Sequence, residues 1–330
     1  MPRSNAAMSK RVLGRIQRLC CLGLPSETIV PEVMRELDAL VPMRWGCFRW
    51  RDRNWKVTNV YNYFSAGEVE LYMAEFLNDD CNLLVRPSRA DAWLVMRVLQ
   101  VARPLGAMTV GRAAHDAPFS PGDRQVLHAI ADFVAHAMTR ATVREDAFVD
   151  NADCALLVAD PDGRVRHAGA QARRLLLLAL VPQLSLATDS RAITEPIAEL
   201  AWLCRNLAAA ANGEAGQPPP VLRRRNVWGQ FILRAYWLGP TDGEAPTRQV
   251  GITVERRVPR TLALWRRVEE LPLTAREKQL SVLLTRDLTR DGVAREMGLS
   301  ATTVMTHQRS IYAKLGVHSR AGLIASLQPG

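Results

Sequence analysis

Between residues 274 and 319 the chain carries helix starts and stops at a spacing that leaves little choice of structure. Thr274-Ala275-Arg276-Glu277 has the form of a capping box, with Thr as N-cap and Glu at N3. A helix is expected from there to about residue 284. A second, short helix is expected over 290–297, with Val293, Ala294 and Met297 facing inward. Gly298 supplies its stop, and Ser300 caps the next helix, over 301–315. Val304, Ile311 and Leu315 form the buried stripe of that helix, with His307 beside it as a packing residue. Thr302, Met305, Thr306, Arg309 and Ala313 lie opposite. Gly316 ends it, and Ser319 caps a last helix bearing Leu323, Ile324 and Leu327. Two helices joined by a tight Gly-containing turn form a helix-turn-helix. The outward face of the second is short-chained and basic, the character of a major-groove reader. From Ser300 to Gly330 there are three Lys or Arg residues and no acid. A surface that meets phosphates needs that imbalance.

The helix-turn-helix occupies a small part of the chain. At 330 residues there is room for two or three domains, each able to bury a core. Lys and Arg exceed Asp and Glu by 43 to 33, a net +10 that favours polyanionic partners. Six scattered cysteines, with no CxxC pair and no Cys/His cluster, argue against a zinc site or a disulfide framework and for a reducing, cytoplasmic location. No apolar run approaches the length of a membrane span, since the longest, 175–186, contains Pro182 and Gln183. The basic N-terminus is followed by only a short apolar stretch, 19–24, without a cleavage site. No membrane partner is expected.

The first 257 residues read as α+β, with antiparallel sheets and helices. In a first region, 8–143, helical patterns at 10–21 and 27–40 precede strand-like runs at 43–50 and 56–64. A short polar turn with Asp52 and Asn54 between these runs suits a hairpin. A further strand is expected over 104–111. Ser120-Pro121-Gly122-Asp123 then opens a helix whose Val126, Leu127, Ile130, Phe133, Val134, Ala137 and Met138 share a face. In a second region, 148–257, a strand at 154–159, the turn Asp160-Pro161-Asp162-Gly163 and a return strand at 164–168 lead to a helix at 170–180. A helical insert at 193–211 follows, then strands at 221–227, 230–238 and 249–254. Pro/Gly-rich breaks fall at 212–220 and 239–246. A connecting helix, 258–271, leads to the terminal helices at 272–328.

The terminal residues resemble a known family. Leu273-Thr274-Ala275-Arg276-Glu277, Val293-Ala294, Leu299-Ser300, Thr303-Val304, His307, Lys314-Leu315-Gly316-Val317 and Ser319-Arg320 match the pattern of the LuxR-type DNA-binding domain. The resemblance implies a four-helix domain whose third helix enters the major groove and whose fourth often mediates dimerisation. It assigns DNA contacts to Ser300, Thr302, Thr303, Met305, Thr306, Arg309 and Lys314. It implies double-stranded DNA and a second copy of the chain as partners, with RNA polymerase and a small-molecule ligand beyond them, and no cofactor. Three positions depart from the pattern: Asp287 stands where Gly is usual, Gly292 where Glu is, and Met305 where Lys or Arg is. Arg309, one turn on, is the remaining cationic reader. Residues 8–143 resemble a GAF domain, chiefly from Gly106 through Pro118-Phe119-Ser120-Pro121-Gly122-Asp123 to Met138. Residues 148–257 resemble a PAS domain, through 155–159, the turn at 160–163 and the three late strands. Both resemblances imply sensing.

Trp45, Trp50, Trp55, Tyr61, Tyr63 and Phe64 crowd the first proposed sheet. Alternation along strands puts half in the core and half outside, and a pocket is the other possibility. His167 reads as a surface strand residue rather than a haem ligand, and Arg223-Arg224-Arg225 as a charge-protected strand edge. Walker A, GxGxxG, HExxH and GxSxG motifs are missing from the sequence. Nor does it show the residue order of a phospho-acceptor receiver domain. No catalysis is expected. The rival from another class is a signalling protein whose terminal helices dock on protein.

Overall fold

The computed structural model describes residues 2–64, 92–100, 103–113, 115–139, 147–181, 196–214, 216, 218–239, 249–286 and 288–327. Helices α1 (Pro2–Cys20) and α2 (Ser26–Asp38) precede strands β1 (Trp45–Arg51), β2 (Val57–Phe64), β3 (Ala92–Gln100) and β4 (Arg103–Arg112) and helix α3 (Pro121–Thr139). The strands form an antiparallel sheet in the order β2-β1-β4-β3. The expected polar turn joins β1 to β2: Asp52 Oδ1 accepts from the backbone N–H groups of Asn54 (2.8 Å) and Lys56 (2.9 Å). Helices α2 and α3 pack on this sheet, and α1 packs on both. The α3 cap is reciprocal, with Asp123 N donating to Ser120 Oγ (3.1 Å) and Ser120 N to Asp123 Oδ2 (2.8 Å). Leu127, Ile130, Val134 and Ala137 of its expected apolar face are buried.

A five-stranded sheet follows, built from β5 (Phe148–Ala159), β6 (Val165–Ala168), β7 (Val221–Asn226), β8 (Gly229–Leu238) and β9 (Gln249–Pro259). Its order is β6-β5-β9-β8-β7, antiparallel at every pairing. Helices α4 (Ala170–Leu180) and α5 (Ala198–Ala211) pack against it. Arg223, Arg224 and Arg225 lie exposed on the edge strand β7, where Arg224 reaches Glu199 at 2.9 Å. His167 is exposed on the opposite edge strand. Both fit the surface assignments made for them.

The structure corrects several expectations. Strand β3 is unforeseen. Helix α1 reaches back to Pro2, and β5 begins at Phe148 rather than at 154. Strand β9 runs to Pro259 rather than 254, so the connecting helix, α6 (Arg260–Glu270), starts two residues later than expected. Parts of the apolar run at 175–186, the helical insert from 193, the breaks at 212–220 and 239–246, the end of the first region at 140–143, Cys81 and Asp287 lie outside the described residues.

The aromatic residues do not divide evenly. Trp45, Trp50 and Tyr61 are buried, Trp55 is exposed, and Tyr63 is half-buried with its hydroxyl donating to Asp38 (2.9 Å). The side chain of Phe64 lies outside the described residues. Burial on both faces of β1 explains the excess. Trp228, at the β7–β8 turn, meets Trp50 edge-on at 5.8 Å and Tyr61 at 6.0 Å. A turn of the five-stranded sheet thus caps aromatics of the first sheet, and the buried apolar residues form one continuous cluster.

Four more helices follow among the described residues: α7 (Ala275–Leu284), α8 (Arg290–Met297), α9 (Ala301–Leu315) and α10 (Arg320–Leu327). Helix α6 is no exposed linker. Its Leu262, Leu264, Trp265 and Val268 are buried, and it packs against α1, β5, β9, α7 and α10. Leu323 and Leu327 of α10 are buried within the same chain. Among the described residues no helix is long and apolar enough to cross a membrane. No group of three or more His, Cys, Asp or Glu among them is placed to hold a metal ion. Cys20, Cys21, Cys47, Cys154 and Cys204 are free thiols.

Candidate nucleic-acid interface

Helix α9 is held at both ends by the residues that mark it in the sequence. Ser300, in an extended conformation, accepts from Thr303 N (3.1 Å). Gly298, at φ 62°, and Gly316, at φ 64°, take the left-handed conformation that stops α8 and α9. The Gly298-Leu299-Ser300 turn sets α9 against α8, and Leu299 packs on the core. Val304 and Ile311 are buried and Leu315 is partly so, as the stripe requires.

The opposite face is open. Thr302, Thr306, Arg309 and Ala313 are exposed along one stripe at spacings of four, three and four. Met305 is half-buried beside them. The Thr306 hydroxyl donates to the Thr302 carbonyl (3.2 Å). Thr303 is half-buried, and its hydroxyl shares a hydrogen bond with Ser300 Oγ (2.8 Å). The Arg309 guanidinium makes no ion pair among the described residues.

Lys314 lies apart from this stripe. Five residues after Arg309, it projects about 140° around the helix from it. Its ammonium meets the Glu277 carboxylate at 2.7 and 2.8 Å. Ser310, one turn earlier, donates to the same carboxylate (2.7 Å). Glu277 also accepts from Thr274 N (2.7 Å), completing the capping box of α7. Burial alone would raise the Glu277 pKa. The hydrogen bonds from Lys314, Thr274 and Ser310 outweigh it and hold the group at about 2. The one acid of the α7 cap is therefore neutralised from α9. Arg320 is engaged in a similar way, donating to the carbonyls of Leu284 (2.7 Å), Leu288 (3.4 Å) and Arg286 around the end of α7.

Of the seven residues assigned by resemblance, Ser300, Thr302, Thr303, Met305, Thr306 and Arg309 fall within the first three turns of α9 or at its cap. Lys314 faces α7 instead. The span 300–314 leaves out Arg290 and Arg295, which are exposed on α8.

Residues 271–327 match the family described as bacterial regulatory proteins, luxR family. This region is a helix-turn-helix DNA-binding domain of that family. No curated protein matches the chain. Among solved structures, a GAF domain/HD domain protein from Geobacter sulfurreducens is 17% identical over 36% of this chain and 93% of its own, with a TM-score of 0.24. The Vibrio cholerae VqmA dimer, described with LuxR-type receptors, is 18% identical over 52% of this chain and 80% of its own, at 0.18. A phage VqmA–DPO complex is 19% identical over 54% and 81%, at 0.21. Similarity at this level defines no shared overall architecture.

Proposed function

We propose that this chain regulates transcription as a homodimer, placing α9 of each copy in the major groove of one half-site. Residues 8–143 and 148–257 serve as GAF-like and PAS-like sensor units, α6 connects them to the DNA-binding domain, and a small molecule in the sensor half sets the output. RNA polymerase is the further partner of an activator working this way. Thr302, Met305, Thr306 and Arg309 read base edges. Ser300 and Thr303 approach the backbone at the helix N-terminus, and Arg290 and Arg295 meet phosphates. Lys314 contributes by fixing α9 on α7. A cytoplasmic location follows from this role.

One observation carries the reading: an open, acid-free stripe on the third helix of a domain that matches the luxR family. The test maps DNA bound by the full chain, then titrates a bound duplex against wild type and Arg309→Ala at several salt concentrations. Loss of Arg309 is expected to weaken specific binding by about 1–3 kcal/mol if it reads a guanine. A footprint that survives the substitution unchanged refutes the groove assignment. Absence of any salt-dependent duplex binding favours the rival, docking of these helices on protein.

A further inference from the structure

A cleft of about 720 Å³ separates the end of α1 from α7, with α6 as its floor. That volume is in the range of small-molecule sites. Its walls are rich in donors and cations. Arg18, Arg276, Lys278 and Arg286 line it against two carboxylates, Glu269 and Glu296. Glu269 is already engaged twice. Arg18 grips both of its oxygens, at 2.6 and 2.7 Å, and Lys278 Nζ lies 3.3 Å away. One buried carboxylate thus faces two cations, and Glu296 stands 3.7 Å from Arg286 on the outer side. Burial lowers the Lys278 pKa despite Glu269, with Arg18 adding to the depression. The site is short of negative charge.

Two donors at the cleft have no partner. Trp265, only 2% exposed, has an indole N–H without an acceptor, and so does Arg286 at Nε. Buried donors are nearly always satisfied, so a pair of orphans at one cleft points to a missing acceptor. Leu22, Val282, Leu283 and the Trp265 ring supply apolar wall between the charges.

We propose that this cleft binds a small organic anion, a carboxylate or phosphate on an apolar body. The anionic end pairs with Arg276 and Arg286 and accepts from Trp265 Nε1, while the body lies on the leucines. Such a ligand touches α1, α6 and α7 at once, so it sits between the sensor half and the DNA-binding domain. The site stands whether or not DNA is the partner of α9.

The test is calorimetric titration of the full chain with phenylpyruvate and phenyl phosphate. Benzyl alcohol supplies the ring without the charge, and inorganic phosphate the charge without the ring. Saturable binding of at least one ring-bearing anion is expected, roughly tenfold tighter than either control. Trp265→Phe removes the N–H together with part of a buried ring, and Arg276→Gln removes an exposed rim charge. Each is expected to weaken that binding severalfold, and Arg276→Gln is expected to do so with the melting temperature in place, whereas Trp265→Phe also lowers it. No binding of either ring-bearing anion overturns the proposal. So does binding matched by benzyl alcohol, or binding that both variants leave unchanged.

Discussion

Glu277→Gln tests whether α9 is anchored by the carboxylate beneath it. In the wild type this buried side chain accepts from Thr274 N, Ser310 and Lys314 at 2.7–2.8 Å. Its pKa falls from 4.5 to about 2 on folding. At about 1.4 kcal/mol per pH unit, that difference is worth about 3 kcal/mol to the folded domain. A group with a depressed folded pKa gives its stability above the unfolded value and loses it as pH falls through the folded one. The contribution is therefore complete at neutral pH and fades between about pH 4.5 and 2. Glutamine preserves the side-chain shape and one acceptor for the cap but has no charge for Lys314. Hydrogen exchange of α7 and α9 amides in the full chain, read by mass spectrometry, measures the effect locally. At pH 7 the variant is expected to open about 2–3 kcal/mol more readily, exchanging on the order of a hundredfold faster. The gap should narrow as labelling pH falls below 4.5. A gap that stays constant down to pH 3, or no gap at pH 7, refutes the argument that the charge anchors α9.

Met305→Lys places a cation beside the exposed stripe of α9 and is expected to steepen the dependence of DNA affinity on salt by about one unit; an unchanged slope means residue 305 does not approach the backbone. Gly292→Glu is expected to raise the stability of the terminal domain by roughly 1 kcal/mol, because Thr289 already caps α8 and position 292 is N3. A Cβ there meets only Thr289 Oγ1 at 3.3 Å and Leu288 beyond it, so a lowered unfolding midpoint would contradict the expectation. Gly163→Ala is expected to destabilise the five-stranded sheet, since φ is +83° and the new Cβ collides with the Ala201 backbone; unchanged thermal unfolding would refute it.

What was legible in the sequence was local. Thr274, Ser300 and Ser319 mark helix starts through bonds spanning three residues, and the structure sets those three helices where these caps place them. Gly163 and Asp160 mark their turn for the same reason. Strand β3 went unseen because Ala92–Gln100 carries a nearly unbroken apolar run, without the alternation that identifies a strand. The role of Lys314 was hidden because its partner lies 37 residues earlier in the chain. A lysine near a recognition helix reads the same in sequence whether it meets phosphate or a buried carboxylate. Only the packing of α9 on α7 decides between them. The same holds for Trp228, whose contact with Trp50 and Tyr61 joins two regions that read as separate in sequence.

The passage from β9 into α6 contains no loop: Pro259 ends the strand and Arg260 begins the helix. A flexible tether would let each part turn freely, but this junction has no slack to absorb a rotation. The phase between the sheet and α6 is counted in residues. Each residue inserted in α6 would turn the remainder of that helix by about 100° and advance it by about 1.5 Å. The chain is therefore geared at this point, and evolution can lengthen α6 gently only in steps close to whole helical turns.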